Sequence, residues 1–192
     1  MSKRGHFEEP GILPEGYAPL EYIESTVTQY IIVNTNMLVG KYAALEADLL
    51  NVSYGFYFDD YYAPRNFTRN YYSHTTDATE IGGRATNGGT PTNEGNRFIF
   101  TLSTLGITAD GVFKNLNRPL TSTVTKIRLF NSRRNGDYYS HTRLFSLHLE
   151  SDNHIINDFI PALRIFDSKP GLWDITNETF YTNAGTGEFL YN

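Results

Sequence analysis

The clearest order in the chain is a two-residue alternation of apolar and polar positions. Across residues 42–50, Ala43, Leu45, Ala47 and Leu49 fall on one face, and Tyr42, Ala44, Glu46 and Asp48 on the other. That is the period of a half-buried strand. Residues 141–149 repeat it, with Phe145, Leu147 and Leu149 pointing one way and Leu144, Ser146 and His148 the other. Leu45, Phe145 and Leu147 are therefore expected in the core. Shorter β-type runs occupy residues 20–24, 30–33, 97–102 and 124–130. Residues 105–116 read as a hairpin turning at Asp110-Gly111, because a tight two-residue turn needs positive φ at both central positions. Residues 155–160 form a strand that ends at Pro161, since proline cannot donate to a ladder. The tail, from Gly171 to Tyr191, gives short strands broken by Asn and Gly turns.

No segment sustains the apolar period of a helix, so helices should be few and short. About a dozen short strands imply an all-β fold, a two-sheet antiparallel sandwich. Residues 63–96 stand apart. They hold Pro64, Gly82-Gly83, Gly88-Gly89, Pro91 and Gly95 and read as long loops, with short strands near Tyr71-Tyr72 and Ile81. Residues 1–12 read as an N-terminal arm and residues 13–192 as the single domain.

Composition sharpens this picture. A chain of 192 residues suits one domain. Hydrophobic residues at 40% and charged residues at 19% supply a full core and exclude disorder. Aromatics reach 15%, with Tyr 14 and Phe 13, which favours strands. Lys+Arg 16 against Asp+Glu 21, a net charge of -5, argues against a nucleic-acid binder, whose affinity comes from neutralising phosphates. The absence of cysteine excludes a disulfide framework and thiolate metal sites. No apolar run approaches the ~20 residues that span a bilayer, so membrane insertion is not expected. The N-terminus lacks the apolar stretch of a signal peptide, which implies synthesis in the cytosol.

Two segments carry a resemblance. One is Leu13-Pro14-Glu15-Gly16-Tyr17-Ala18-Pro19-Leu20-Glu21-Tyr22-Ile23-Glu24-Ser25-Thr26, continuing through Gln29-Tyr30-Ile31. The other is Asp158-Phe159-Ile160-Pro161-Ala162, then Gly171-Leu172-Trp173-Asp174, then Phe180-Tyr181-Thr182-Asn183-Ala184-Gly185-Thr186-Gly187-Glu188-Phe189. Together they resemble the two ends of a concanavalin A-like (laminin-G-like) jelly-roll domain of bacteriophage and prophage virion proteins. The chain departs from that pattern at Val27, at Val33-Asn34-Thr35 and at Ala162. The resemblance implies a lectin-like jelly roll carried on a phage particle, and no catalytic set.

Laminarinase-type glycosidases share that fold and use a strand motif Glu-x-Asp-x-x-Glu. Glu46 and Asp48 fit its first two positions, but the third is Asn51. Retaining hydrolysis needs two carboxyls about 5–5.5 Å apart, one of them a proton donor, and an amide cannot be that acid. The aromatic cluster Tyr54, Phe56, Tyr57, Phe58, Tyr61 and Tyr62, with Asp59, Asp60 and Arg65 beside it, is denser than a core requires. Core packing, a protein interface and a glycan site are its three readings. Histidines 6, 74, 141, 148 and 154 are scattered and read as separate polar side chains. No metal site is expected. Calcium is the cation that Asp59-Asp60, or Asp77 among its neighbours, would take, but no spaced loop motif is present. The glycine-rich run at residues 82–89 lacks the Gly-Lys-Ser/Thr of a phosphate loop.

The resemblance thus implies a virion component, and no motif in the chain supports an enzyme. A capsid decoration or auxiliary protein, oligomeric on the particle and contacting other virion proteins, comes first. A tail- or fibre-associated adhesin for host surface glycan comes second, and a divergent polysaccharide hydrolase third. Lys3, Arg4, Phe7 and Ile12 are the attachment residues expected of the arm.

Overall fold

The computed structural model describes residues 13–26, 28–38, 43–53, 57–60, 70–71, 79–80, 84–85, 97–103, 106–109, 112–115, 123–132, 138–139 and 141–192. The strands are β1 (Tyr17–Pro19), β2 (Ile23–Glu24), β3 (Ile31–Leu38), β4 (Ala43–Ser53), β5 (Tyr57–Asp60), β6 (Asn70–Tyr71), β7 (Thr79–Glu80), β8 (Arg84–Ala85), β9 (Arg97–Ser103) and β10 (Gly106–Ala109). They continue with β11 (Val112–Asn115), β12 (Thr123–Leu129), β13 (Asn131–Ser132), β14 (Tyr138–Tyr139), β15 (His141–Ser151), β16 (His154–Arg164), β17 (Lys169–Asp174), β18 (Thr179–Thr182) and β19 (Leu190–Tyr191). All pairings are antiparallel, and no helix occurs among the described residues. The all-β expectation holds. No helix of the described residues is long and apolar enough to cross a membrane.

The larger sheet runs β11-β10-β9-β4-β15-β16-β17-β18, and a second sheet runs β3-β12-β5-β6-β7-β8. Ala47, Leu144, Leu147, Leu149, Phe159 and Leu172 of the larger sheet are fully buried, as are Ile31, Val33, Ile127 and Leu129 of the second. Polar bonds join the two sheets as well. The Asn157 Nδ2 donates to the Asn34 carbonyl at 3.1 Å and to Asp174 Oδ2 at 2.7 Å. Burial pushes the Tyr181 phenol up, hydrogen bonds with Asn34 oppose this, and the Asp174 carboxylate adds to the rise.

The organising feature is a fork. The hairpin of β15 and β16 turns at Asp152-Asn153, whose φ of 54° and 65° is the left-handed pair a two-residue turn requires. The two strands pair from Ser151↔His154 to Leu147↔Phe159 and then part. The N-terminal segment fills the gap. β1 pairs with β16 from Tyr17↔Arg164 to Pro19↔Ala162, and β2 pairs with β15 at Arg143↔Glu24 and Leu144↔Ile23. Leu20 N donates to the Pro161 carbonyl at 3.1 Å and Ser25 N to the Thr142 carbonyl at 3.1 Å. The C-terminal segment then closes over β2, with β19 on its free edge and Glu21 N donating to the Asn192 carbonyl at 2.6 Å. The two segments also meet where Ala184 N donates to the Tyr30 carbonyl at 2.8 Å. A Cβ at Gly185 would overlap the Thr28 carbonyl and lie 2.9 Å from the Tyr30 ring.

Two expectations are corrected here. Phe145 is not in the core. A register shift between Leu144 and Ser146 against β4 breaks the alternation, as a bulge does. Leu144 and Leu147 both remain buried while Phe145 turns outward, half-buried. The strand that begins at His154 also does not stop at Pro161 but runs on to Arg164. The N and carbonyl of a strand residue face one flank. For Pro161 that flank is where β15 has left and Leu20 supplies a donor rather than needing an acceptor, so the missing N–H breaks nothing. The hairpin expected at Asp110-Gly111 has flanking strands in the matching register, Ala109 opposite Val112. The turn residues themselves, and the side chain of Leu45, lie outside the described residues. So do most of the loops expected over residues 63–96, where β6, β7 and β8 are the described elements.

Replacing Leu147 by Ala should cost about 2–5 kcal/mol in urea unfolding, as other buried leucines do. Phe145→Ala should cost less, about 1–2 kcal/mol. The reverse ranking would mean the bulge is misplaced.

Candidate functional site

The face of the larger sheet opposite Leu147, Phe159 and Leu172 carries a repeated side-chain unit. In each case an arginine guanidinium lies over an aromatic ring and is held at its Nε edge by a carboxylate. Arg97 of β9 donates from Nε to Asp48 Oδ1 at 2.9 Å and from Nη2 to Asp48 Oδ2 at 2.7 Å, with its guanidinium carbon 3.8 Å from the centre of the Phe145 ring. Arg143 of β15 donates from Nε to Glu24 Oε2 at 2.6 Å and lies 4.6 Å over Tyr22. Arg164, at the end of β16, donates to both oxygens of Asp167 at 3.0 and 2.7 Å and lies 4.8 Å from Phe166 and 5.1 Å from Phe180.

The sequence places these residues by simple rules. Asp48 pairs with Ile99 and Leu50 with Arg97, so Asp48 and Arg97 are offset by two residues across β4 and β9, a diagonal on one face that long side chains span. Phe145 reaches Arg97 because the bulge turned it outward. Its ring meets Tyr22 edge-on, with centroids 5.7 Å apart, and so joins the first two units. The hydrogen bonds to Asp48, Glu24 and Asp167 hold the Arg97, Arg143 and Arg164 guanidinium groups above their ordinary pKa. The same bond lowers Asp167.

Beside Arg164 is an aromatic cluster. Tyr17 of β1 lies 4.9 Å from Trp173 and 5.2 Å from Phe180. Gly171 makes room for it. A Cβ there would overlap the Tyr181 carbonyl and come within 2.7 Å of the Phe180 ring. Next to it, the loop between β16 and β17 exposes Ile165 (55%) and Phe166 (81%). Exposed ion pairs contribute about 0–1 kcal/mol and exposed cation–π contacts about 0.5–1 kcal/mol. The Arg97–Asp48 and Arg164–Asp167 units therefore add little to stability, whereas the Glu24 carboxylate of the Arg143 unit is buried. The effect of all three is to fix flexible arginines in one orientation on the surface. Arginine and aromatic side chains held in this way match the composition of interface centres.

No catalytic arrangement forms among the described side chains of this face. Both Asp48 oxygens are committed to Arg97, and Glu46 Oε1 lies 3.9 Å from His148 Nε2. Asn51 pairs with the buried Thr142, whereas Glu46 and Asp48 pair with His148 and Ser146. The histidines are less isolated than the sequence suggested. His141 Nε2 lies 2.9 Å from Glu24 Oε1, and His148 Nε2 lies 3.5 Å from Glu150 Oε1. Asp174, fully buried, accepts from Asn157, Asn177 and the backbone N of Asp158, Thr176 and Asn177. It is a structural carboxylate with both oxygens occupied. Among the described residues no group of three or more His, Asp or Glu could hold a metal ion.

The sites expected from sequence fall mostly elsewhere. Tyr54, Tyr61, Tyr62 and Arg65, and the arm residues Lys3, Arg4, Phe7 and Ile12, lie outside the described residues. Tyr57, Asp59 and Asp60 are on β5, where the backbone pairs Tyr57 with Tyr71, Asp59 with Arg128 and Asp60 with Ile127. Their side chains, and Asp77, lie outside the description. The arginine units went unread in the sequence because their members are far apart along it. Tyr17, Trp173 and Phe180 were in view only as parts of the two resembling segments. No protein-family model, curated protein or solved structure matches the chain.

Gly171→Ala should push the Phe180 ring aside and cost about 1–3 kcal/mol, the range of an overpacked site. Trp173 is the single tryptophan, so its fluorescence reads the cluster directly. Tyr17→Ala should shift the emission to longer wavelength as water reaches the indole, and unchanged emission would show that Tyr17 does not cover it.

Proposed function

We propose that the protein is a non-enzymatic structural component of a bacteriophage particle. In this reading it folds as a concanavalin A-like two-sheet jelly-roll sandwich and serves as a capsid decoration protein. The observation that carries the reading is the closure of the two resembling segments on each other. Residues 13–31 and 158–189 are distant in sequence, yet they fill one fork and share backbone bonds at Gly16, Leu20, Thr28 and Tyr30. Motifs at the two ends of a chain that build one structural unit are what a domain-wide family likeness requires. The inter-sheet bonds at Asn34 support the sandwich arrangement. The engagement of Asp48 by Arg97, with Asn51 in place of an acid, supports a role in binding over hydrolysis. The arginine and aromatic units supply an outward face suited to contacts with other virion proteins, and residues 1–12 are proposed as a further attachment element.

Cryo-EM of purified particles decides the location. Density for the domain on the head lattice is the expected result. Density on the tail would replace decoration with host adhesion, which a glycan array would then test. Deleting residues 1–12 should leave the melting temperature nearly unchanged and lower the occupancy on particles. The purified protein should release no reducing ends from β-glucans, and turnover that disappears in Glu46→Gln would overturn the non-enzymatic reading.

A further inference from the structure

We infer that the Glu24 carboxylate is an acid-released latch that holds β2, and with it β19, on the larger sheet. The inference rests on how β2 is held. It is two residues long and bridges β15 on one side and β19 on the other. Its outward side chain, Glu24, is 6% exposed. One carboxylate oxygen accepts from Arg143 Nε at 2.6 Å, and the other lies 2.9 Å from His141 Nε2. The remaining attachments of this segment are backbone bonds, including Ser25 N to the Thr142 carbonyl, together with the contacts of Tyr22 with Phe145 and Arg143 and the burial of Ile23. If β2 lets go, β19 loses its only pairing partner among the described strands.

The charged and titratable neighbours set the sign. From β15 these are His141 and Arg143; from the segment itself, Glu21 and Tyr22; from β19, Tyr191, beside Asn192, whose Nδ2 donates to Glu21 Oε2 at 3.4 Å. Burial raises the Glu24 carboxyl, but the hydrogen bonds and charges of Arg143 and His141 outweigh it and hold the group below its ordinary 4.5. A carboxylate lowered on folding stabilises the folded state above its unfolded pKa and loses that contribution as pH falls through the folded one. The latch is thus closed from neutral pH down to about 4.5 and opens below that value. Protonation leaves the Arg143 guanidinium facing a neutral, buried acid. The pairing of β16 with β17 from Phe159↔Asp174 to Leu163↔Pro170 holds no arginine–carboxylate pair of this kind.

Hydrogen exchange with mass-spectrometric readout on the full chain, corrected for intrinsic rates, tests this directly. Between pH 7 and pH 3 the amides of residues 21–25 and 190–192 should lose protection by about tenfold or more, while those of β16 and β17 keep theirs. Glu24→Gln should show the loosened ends already at pH 7, and Asp167→Asn, which breaks an arginine pair whose carboxylate is less buried, should not. The wild-type pH series stands alone if the Glu24 variant does not fold. Loss of protection at the ends only together with the whole sheet, or full protection at pH 3, overturns the latch.

Discussion

The structure depends on one geometric event, the parting of β15 and β16 beyond Leu147↔Phe159. Two strands that separate leave two unpaired edges in the middle of a sheet, and buried backbone groups without partners are costly. The chain meets that cost with its own N-terminal segment, which pairs with β16 through β1 and with β15 through β2. From this follow the tolerance of Pro161 in mid-strand, the place of β19 on the outer edge of β2, and the position of Tyr17 beside Trp173 and Phe180. The aromatic cluster is a by-product of the wedge, since its members come from β1, β17 and β18.

The outward face shows how modest energies are used. An arginine on a sheet surface ordinarily samples many rotamers. Here each of three is held by a ring beneath and a carboxylate alongside, so the conformational entropy is lost in the free protein and need not be lost again on contact. The charges are compensated within the face. The face presents oriented hydrogen-bond donors and apolar rings rather than a strong field.

What could be read from the sequence follows the range of the interactions responsible. The alternation around Ala47, Leu147 and Leu149 is local, and it places β4 and β15 with these three residues buried, although it sets Leu144 and Phe145 on the wrong faces. The outward turn of Phe145 was not legible, because the bulge at Leu144–Ser146 is fixed by register against β4, not by anything in residues 141–149. Pro161 was misread for the same reason: whether a strand needs an N–H depends on what lies on that flank. The Asp152-Asn153 turn did carry a signal, since both residue types tolerate positive φ. The pairs Asp48–Arg97 and Glu24–Arg143, 49 and 119 residues apart in sequence, had none.

The fork also governs how the chain can reach its fold. The contacts that close it join Glu24 to Arg143, 119 residues away, and Thr28 to Thr186, 158 residues away. Contacts so distant in sequence form slowly, because loop closure precedes any reward from pairing. During synthesis the wedge segment emerges long before the strands it fills, and the hairpin of β15 and β16 emerges before β19 can seal β2. In that interval the outer edge of β2 is an open sheet edge, the kind that captures a neighbouring chain. Crowding of nascent copies, as in strong overexpression, therefore exposes this topology to strand exchange between chains.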